Sequence, residues 1–98
     1  MRFVFATDEL RNLYTNREGA ARYGVEVVEA FFRVMAIIRN AGDERDLRTM
    51  RSLHYEQLKG KRSHQHSLRL NRQWRLILER DKDAEGRFLW IITIEDYH

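Results

Sequence analysis

The spacing of apolar positions changes along the chain from a weak alternation, to helical recurrence, to alternation again, and each change marks an element. Arg2 to Thr7 alternates and predicts a short strand. Thr7 or Asp8 then caps a helix in which Leu10, Leu13 and Tyr14 fall at i, i+3 and i+4, with Asp8 and Glu9 in the first turn, where the helix dipole favours acids. It ends between Asn16 and Gly19. After Tyr23-Gly24, the positions Val27, Val28, Phe31, Phe32, Met35 and Ile38 recur at helical spacing until the stop signal Asn40-Ala41-Gly42. The aromatic stripe of this second helix reads as core packing against a sheet. Asp43 to Gln65 is polar, basic and weakly periodic, as in a loop or a short irregular helix.

Period two then returns. Ser67 to Asn71 sets Leu68 and Leu70 against Arg69, and Gln73 to Arg80 sets Trp74, Leu76 and Leu78 against Arg75, Ile77 and Glu79, with Asn71-Arg72 as a hairpin turn. Asp81 to Gly86 makes a second polar connection, and Arg87 to Tyr97 is a last strand carrying Trp90, Ile91, Ile92 and Ile94. This order predicts an α+β fold: an N-terminal strand, two helices, then a three-stranded antiparallel set packed on the helices.

Ninety-eight residues enclose one hydrophobic core, and the absence of proline, repeats and low-complexity tracts leaves no linker, so residues 1–98 form a single domain. Cysteine is absent, which excludes disulfides, a thiolate nucleophile and cysteine-based metal sites and suits the cytoplasm. The apolar stretch at the N-terminus is too short for a signal segment or a membrane span, so a soluble cytoplasmic protein with no membrane partner is expected. Net charge is only +3, but its placement is uneven. From Arg45 to Leu78 the bases Arg45, Arg48, Arg51, Lys59, Lys61, Arg62, Arg69, Arg72 and Arg75 face only the acids Asp46 and Glu56. Such a run is either a solvated face or a phosphate-binding surface, and charge alone does not choose.

Candidate chemistry narrows the choice. If Trp74, Leu76 and Leu78 face the helices, Arg75 faces the other way, and strict alternation puts Ile92 and Ile94 on one face of the last strand and Thr93, Glu95 and Tyr97 on the other. Of the four histidines, His54, His64, His66 and His98, only His64 and His66 are close in sequence, a spacing more typical of a surface pair than of a zinc site, so no metal and no cofactor is expected. Phosphate-cradling loops, dinucleotide fingerprints and nucleophile elbows are missing. What remains is metal-free acid–base cleavage of RNA, in which the substrate's 2′-hydroxyl attacks the adjacent phosphorus. That reaction needs a base, a cation for the phosphorane and an acid for the leaving 5′-oxygen.

The segment Ser52-Leu53-His54-Tyr55-Glu56-Gln57-Leu58-Lys59-Gly60, then His66-Ser67-Leu68-Arg69-Leu70-Asn71, Gln73-Trp74-Arg75-Leu76 and the ending Ile94-Glu95-Asp96-Tyr97-His98, resembles the HigB family of toxins. The detailed resemblance covers Leu53 to Arg75 and the last few residues; the helical half matches in order of elements. It implies the RelE-like fold and a ribosome-dependent messenger-RNA endonuclease encoded beside a helix-turn-helix antitoxin of the HigA kind, operator DNA being bound only through the antitoxin. Residue by residue, it implies an active site of His54, Lys59, Arg75, Asp96, Tyr97 and His98. Arg75 and Lys59 would stabilise charge on the phosphate, His54 or His98 would carry protons, Tyr97 would stack on a base and Asp96 would orient His98. Arg45, Arg48, Arg51, Lys61, Arg62, Arg69 and Arg72 are assigned to RNA binding. The chain departs from the family pattern where Tyr55-Glu56-Gln57 lengthens the connection between His54 and Leu58-Lys59-Gly60. Two rival readings are a ParE-like toxin that binds a protein such as gyrase without nuclease activity and a non-catalytic RNA-binding module.

Overall fold

A computed structural model describes residues 1–96 and has the expected α+β architecture. The chain forms β1 (Arg2–Phe5), α1 (Asp8–Asn16), α2 (Val25–Asn40), α3 (Glu44–Thr49), β2 (Glu56–Gln57), β3 (Gln65–Arg69), β4 (Trp74–Asp83) and β5 (Gly86–Asp96). Short 3-10 turns lie at Ala20–Arg22, Arg51–Leu53 and Gly60–Arg62. Thr7 is the N-cap of α1, its hydroxyl accepting from the Leu10 N–H at 3.2 Å, and the helix ends on Arg17 in the left-handed conformation at φ 57°. Gly24 (φ 85°) precedes α2, which buries Val27, Val28, Ala30, Phe31, Val34, Met35 and Ile38 along one stripe.

The sheet order is β1-β5-β4-β3-β2. β2, β3, β4 and β5 are antiparallel neighbours in turn, whereas β1 runs parallel to β5, with Arg2 opposite Phe88 and Phe5 opposite Ile91. All four expected strands are present, with β1 joining the same sheet, and the two-residue β2 adds a fifth strand at its other edge. The segment expected to be a loop or an irregular helix contains α3, whose N-cap Asp43 accepts from the Arg45 N–H at 2.8 Å. Polar side chains on both sides of Leu47 hide its periodicity.

Leu68 and Leu70 with Leu76, Leu78, Leu89, Ile91 and Ile94 pack against Leu10, Leu13 and the apolar stripe of α2 to form the core. Ile77 is fully buried yet lies outside that cluster, on the other sheet face. Strict alternation fails at one place. Ile77 pairs with Thr93 but Leu78 pairs with Ile91, so a bulge leaves Ile92 unmatched, and Ile91, not Ile92, joins Ile94 in the core. The β3–β4 hairpin closes over Asn71, whose Oδ1 accepts from the N–H groups of Gln73 and Trp74, both at 2.8 Å.

Candidate active site on the open sheet face

The face turned away from the helices is built by alternation. Opposite Leu68, Leu76 and Leu78 it presents Ser67 and Arg69 from β3, Arg75, Ile77 and Glu79 from β4, and Thr93 and Glu95 from β5. The register sets Arg69 directly across from Arg75, and Arg75 across from Glu95. Two like charges facing each other across a strand pair repel, so the arrangement needs compensating acceptors.

Those acceptors come from β3, from the segment running from His54 into β2 and from the β3–β4 hairpin. Arg75 Nη1 donates to Ser67 Oγ at 3.1 Å and to the His54 carbonyl at 3.4 Å, and lies 3.7 Å from Glu56 Oε2. Arg69 Nε donates to the Asn71 carbonyl at 3.2 Å while its Nη1 lies 3.3 Å from His54 Nε2. One arginine holds the backbone of His54 and the other its ring. His54 itself is left-handed, at φ 45° and ψ 52°, a conformation that a histidine adopts at a cost, directly after the buried Leu53. Burying a guanidinium is costly unless its donors are met, and the Arg75 side chain is only 13% exposed. Arg75 thus sits deeper than an outward-facing strand position implies.

Around this centre the face stays polar. Arg62 pairs with Glu95 at 3.1 Å and donates to Gln65 at 2.9 Å, and Gln65 donates to Glu79 at 3.0 Å. Asp96 alternates off this face, paired with Trp74 on the helix side, and its Oδ2 accepts from Gln73 Nε2 at 3.1 Å. Lys59 opens the 3-10 turn at Gly60–Arg62, exposed, and no hydrogen bond or ion pair joins its side chain to another described residue. Arg51, Lys61 and Arg72 are exposed on the turns that border the face. Tyr97 and His98 lie outside the described residues.

Arg45 and Arg48 lie elsewhere. They sit on α3, whose Glu44 carboxylate meets Arg87 at 3.1 Å and Arg80 at 3.7 Å, and Arg80 falls in line with Leu78 on the core side of β4. Arg48 lies over the Tyr55 ring at 4.9 Å, and the Tyr55 ring meets, at a tilt of 47°, that of His66, which pairs with Leu78 on that same side. The basic run therefore divides between two sides of the sheet, one around Arg75 and one around α3. Burial first, then Arg80 and Arg48, pushes the His66 pKa down, and burial pushes the Tyr55 hydroxyl up. Ser67 and Glu56 were missed by sequence reasoning. Ser67 could have been found, because it shares the period-two face of Arg69; the approach of Glu56 depends on how the loop folds back.

Two guanidiniums side by side with an imidazole against them can hold a phosphate and move a proton beside it. Among the described residues no group of three or more histidines, aspartates or glutamates could hold a metal ion, and no helix is long and apolar enough to cross a membrane.

Residues 3–91 match the family described as RelE-like toxins of type II toxin–antitoxin systems, HigB. No curated protein sequence matches the chain. The fold resembles the YoeB/ParE toxin from Agrobacterium tumefaciens, with a TM-score of 0.63 at 18% identity over the whole of both chains. It also resembles YafQ from E. coli strain BL21(DE3), with a TM-score of 0.65 at 11% identity, covering 98% of this chain and 93% of that one. A third likeness is to the YoeB–YefM complex from Staphylococcus aureus, with a TM-score of 0.58 at 17% identity over 100% and 97% of the two chains.

Proposed function

Because the chain belongs to the RelE-like HigB toxins of type II toxin–antitoxin systems, we propose that it is a metal-independent endoribonuclease that cuts messenger RNA on the ribosome by 2′-hydroxyl attack. The observation that carries this reading is the Arg69–Arg75 pair set against His54 on the open face of the sheet. A phosphate arriving there meets two guanidiniums in a partly buried site where charge is worth more than in water. Arg75 neutralises charge as the phosphorane forms, with Lys59 brought in from its turn. His54 and His98 share the proton transfers, Tyr97 stacks on a base and Asp96 orients His98. Arg51, Lys61, Arg62 and Arg72 serve the RNA around the cut, and Arg45 and Arg48 meet RNA on the α3 side.

The partner that restrains the toxin is a helix-turn-helix antitoxin of the HigA kind, through which operator DNA is bound, and the site of action is the cytoplasm. The description of the Staphylococcus aureus relative as a YoeB–YefM complex supports a paired arrangement of this sort. The test is a purified translation reaction with the wild-type chain, His54→Ala and Arg75→Ala. Cleavage of ribosome-bound message by the wild type, with both variants impaired and naked transcript cut poorly, is the expected result. DNA damage without RNA cleavage would move the assignment to a gyrase-binding toxin.

A further inference from the structure

Arg69 does more than add charge to the RNA-binding face. A guanidinium has donors and no acceptor, so an N–H of Arg69 that meets His54 Nε2 at 3.3 Å requires a lone pair on that nitrogen. A ring that accepts this bond carries its proton on Nδ1. A doubly protonated ring in the same place would set one cation against another, with Arg75 also at the His54 carbonyl.

Both partners are held in place. Arg69 is tied by its Nε to the Asn71 carbonyl, and Asn71 is fixed by the two backbone N–H groups it caps in the hairpin. His54 is held in its left-handed conformation by Arg75 at its carbonyl and by the buried Leu53 before it.

We propose that Arg69 is a positioning residue that fixes His54 as the Nδ1-protonated tautomer and covers Nε2 until a substrate phosphate draws the guanidinium away. This rests on the nuclease reading above and assigns His54 the role of base. A bond from Arg69 to a neutral ring nitrogen is weaker than the charge-assisted bonds it makes to phosphate oxygens, so a phosphate seated between Arg69 and Arg75 takes the guanidinium and bares the lone pair. The 2′-hydroxyl proton then passes to Nε2 as the 2′-oxygen bonds to phosphorus. The bond from phosphorus to the 5′-oxygen breaks with its electron pair, and that oxygen takes a proton from the acid of the site or from water. Base strength is thereby kept out of reach in the unoccupied protein and released by the substrate itself.

Nitrogen-15 NMR of histidine-labelled protein, with His54 assigned from a His54→Gln variant, reads the tautomer directly. In the wild-type chain, at a pH where the ring is neutral, His54 should show a protonated Nδ1 and an unprotonated Nε2. Arg69→Met should abolish this bias, and Arg69→Lys, which keeps a donor-only cation, should restore part of it. In single-turnover cleavage of ribosome-bound message, Arg69→Met should be slower by about 10²-fold, the range of one general base, with Arg69→Lys in between. A wild-type His54 protonated on Nε2, or nitrogen shifts unchanged in Arg69→Met, overturns the inference; so does a wild-type rate in Arg69→Met. The nitrogen shifts do not depend on activity. A wild-type chain that cuts no ribosome-bound message would sink the nuclease reading, whereas a wrong tautomer in an active chain sinks only the role given to Arg69.

Discussion

Among the described residues Arg75 donates to Ser67 and to the His54 carbonyl and pairs with Glu56, and its loss should separate two effects. Replacement by alanine removes a phosphate ligand, which should lower single-turnover cleavage of ribosome-bound message by about 10²–10³-fold, by analogy with loss of one oxyanion donor. It also strands Ser67 Oγ and releases the His54 carbonyl, so urea unfolding should show a loss of about 1–2 kcal/mol, near the worth of one or two hydrogen bonds. Arg75→Lys should recover part of the rate, since a lysine offers one point charge in place of a fork. A folded alanine variant, checked by circular dichroism, that cleaves at the wild-type rate would remove Arg75 from the site. The direction of Arg75 was legible because Trp74 and Leu76 flank it in a period-two pattern. Its depth was not, since that depends on Ser67 and on the returning His54 segment. The contact of Arg69 with His54 was equally hidden: it requires a left-handed histidine, and no local pattern announces one.

Turns and caps carry the arrangement at the level of elements. Asn71 closes the β3–β4 hairpin and also presents the carbonyl that holds Arg69. Asn71→Ala should therefore cost about 1–2 kcal/mol, as for loss of a side-chain cap on backbone donors, and slow cleavage as well. Thr7→Ala, which removes the cap of α1 far from the site, should cost about 1 kcal/mol with cleavage unchanged in the folded fraction. Equal kinetic effects from the two variants would argue that stability alone, and not the placement of Arg69, is being measured. Helices α1 and α2 could be bounded from sequence because caps and glycines flank strong apolar stripes. β2 was beyond reach, because Glu56-Gln57 has no apolar alternation and is a strand only through pairing with His66 and Ser67. The bulge at Ile92 was also illegible. An unbroken apolar run from Leu89 to Ile92 reads the same in either phase, and only the pairing with β4 decides which isoleucine goes inward.

For the molecule as a whole, His66 ties folding to pH. It is buried beside Tyr55, and burial first, then Arg80 and Arg48, lowers its pKa below the usual 6.5. The unfolded chain takes up a proton near 6.5 that the folded chain refuses until lower pH, so this contribution to stability is complete above about 6.5 and is lost as pH falls from there toward the lower folded value. Urea midpoints measured across that range should fall with pH in the wild type and fall less steeply in His66→Leu; parallel curves would show that other groups set the slope. The parallel pairing of β1 with β5 has a consequence for the order of assembly. Arg2 finds its partner Phe88 only across nearly the whole described chain, so the closure that seats β1 is entropically remote, while the β4–β5 hairpin is local. The hairpin should form early and serve as the template onto which the first strand later docks, so that the strands carrying the arginine pair come together locally before the far edge of the sheet is closed.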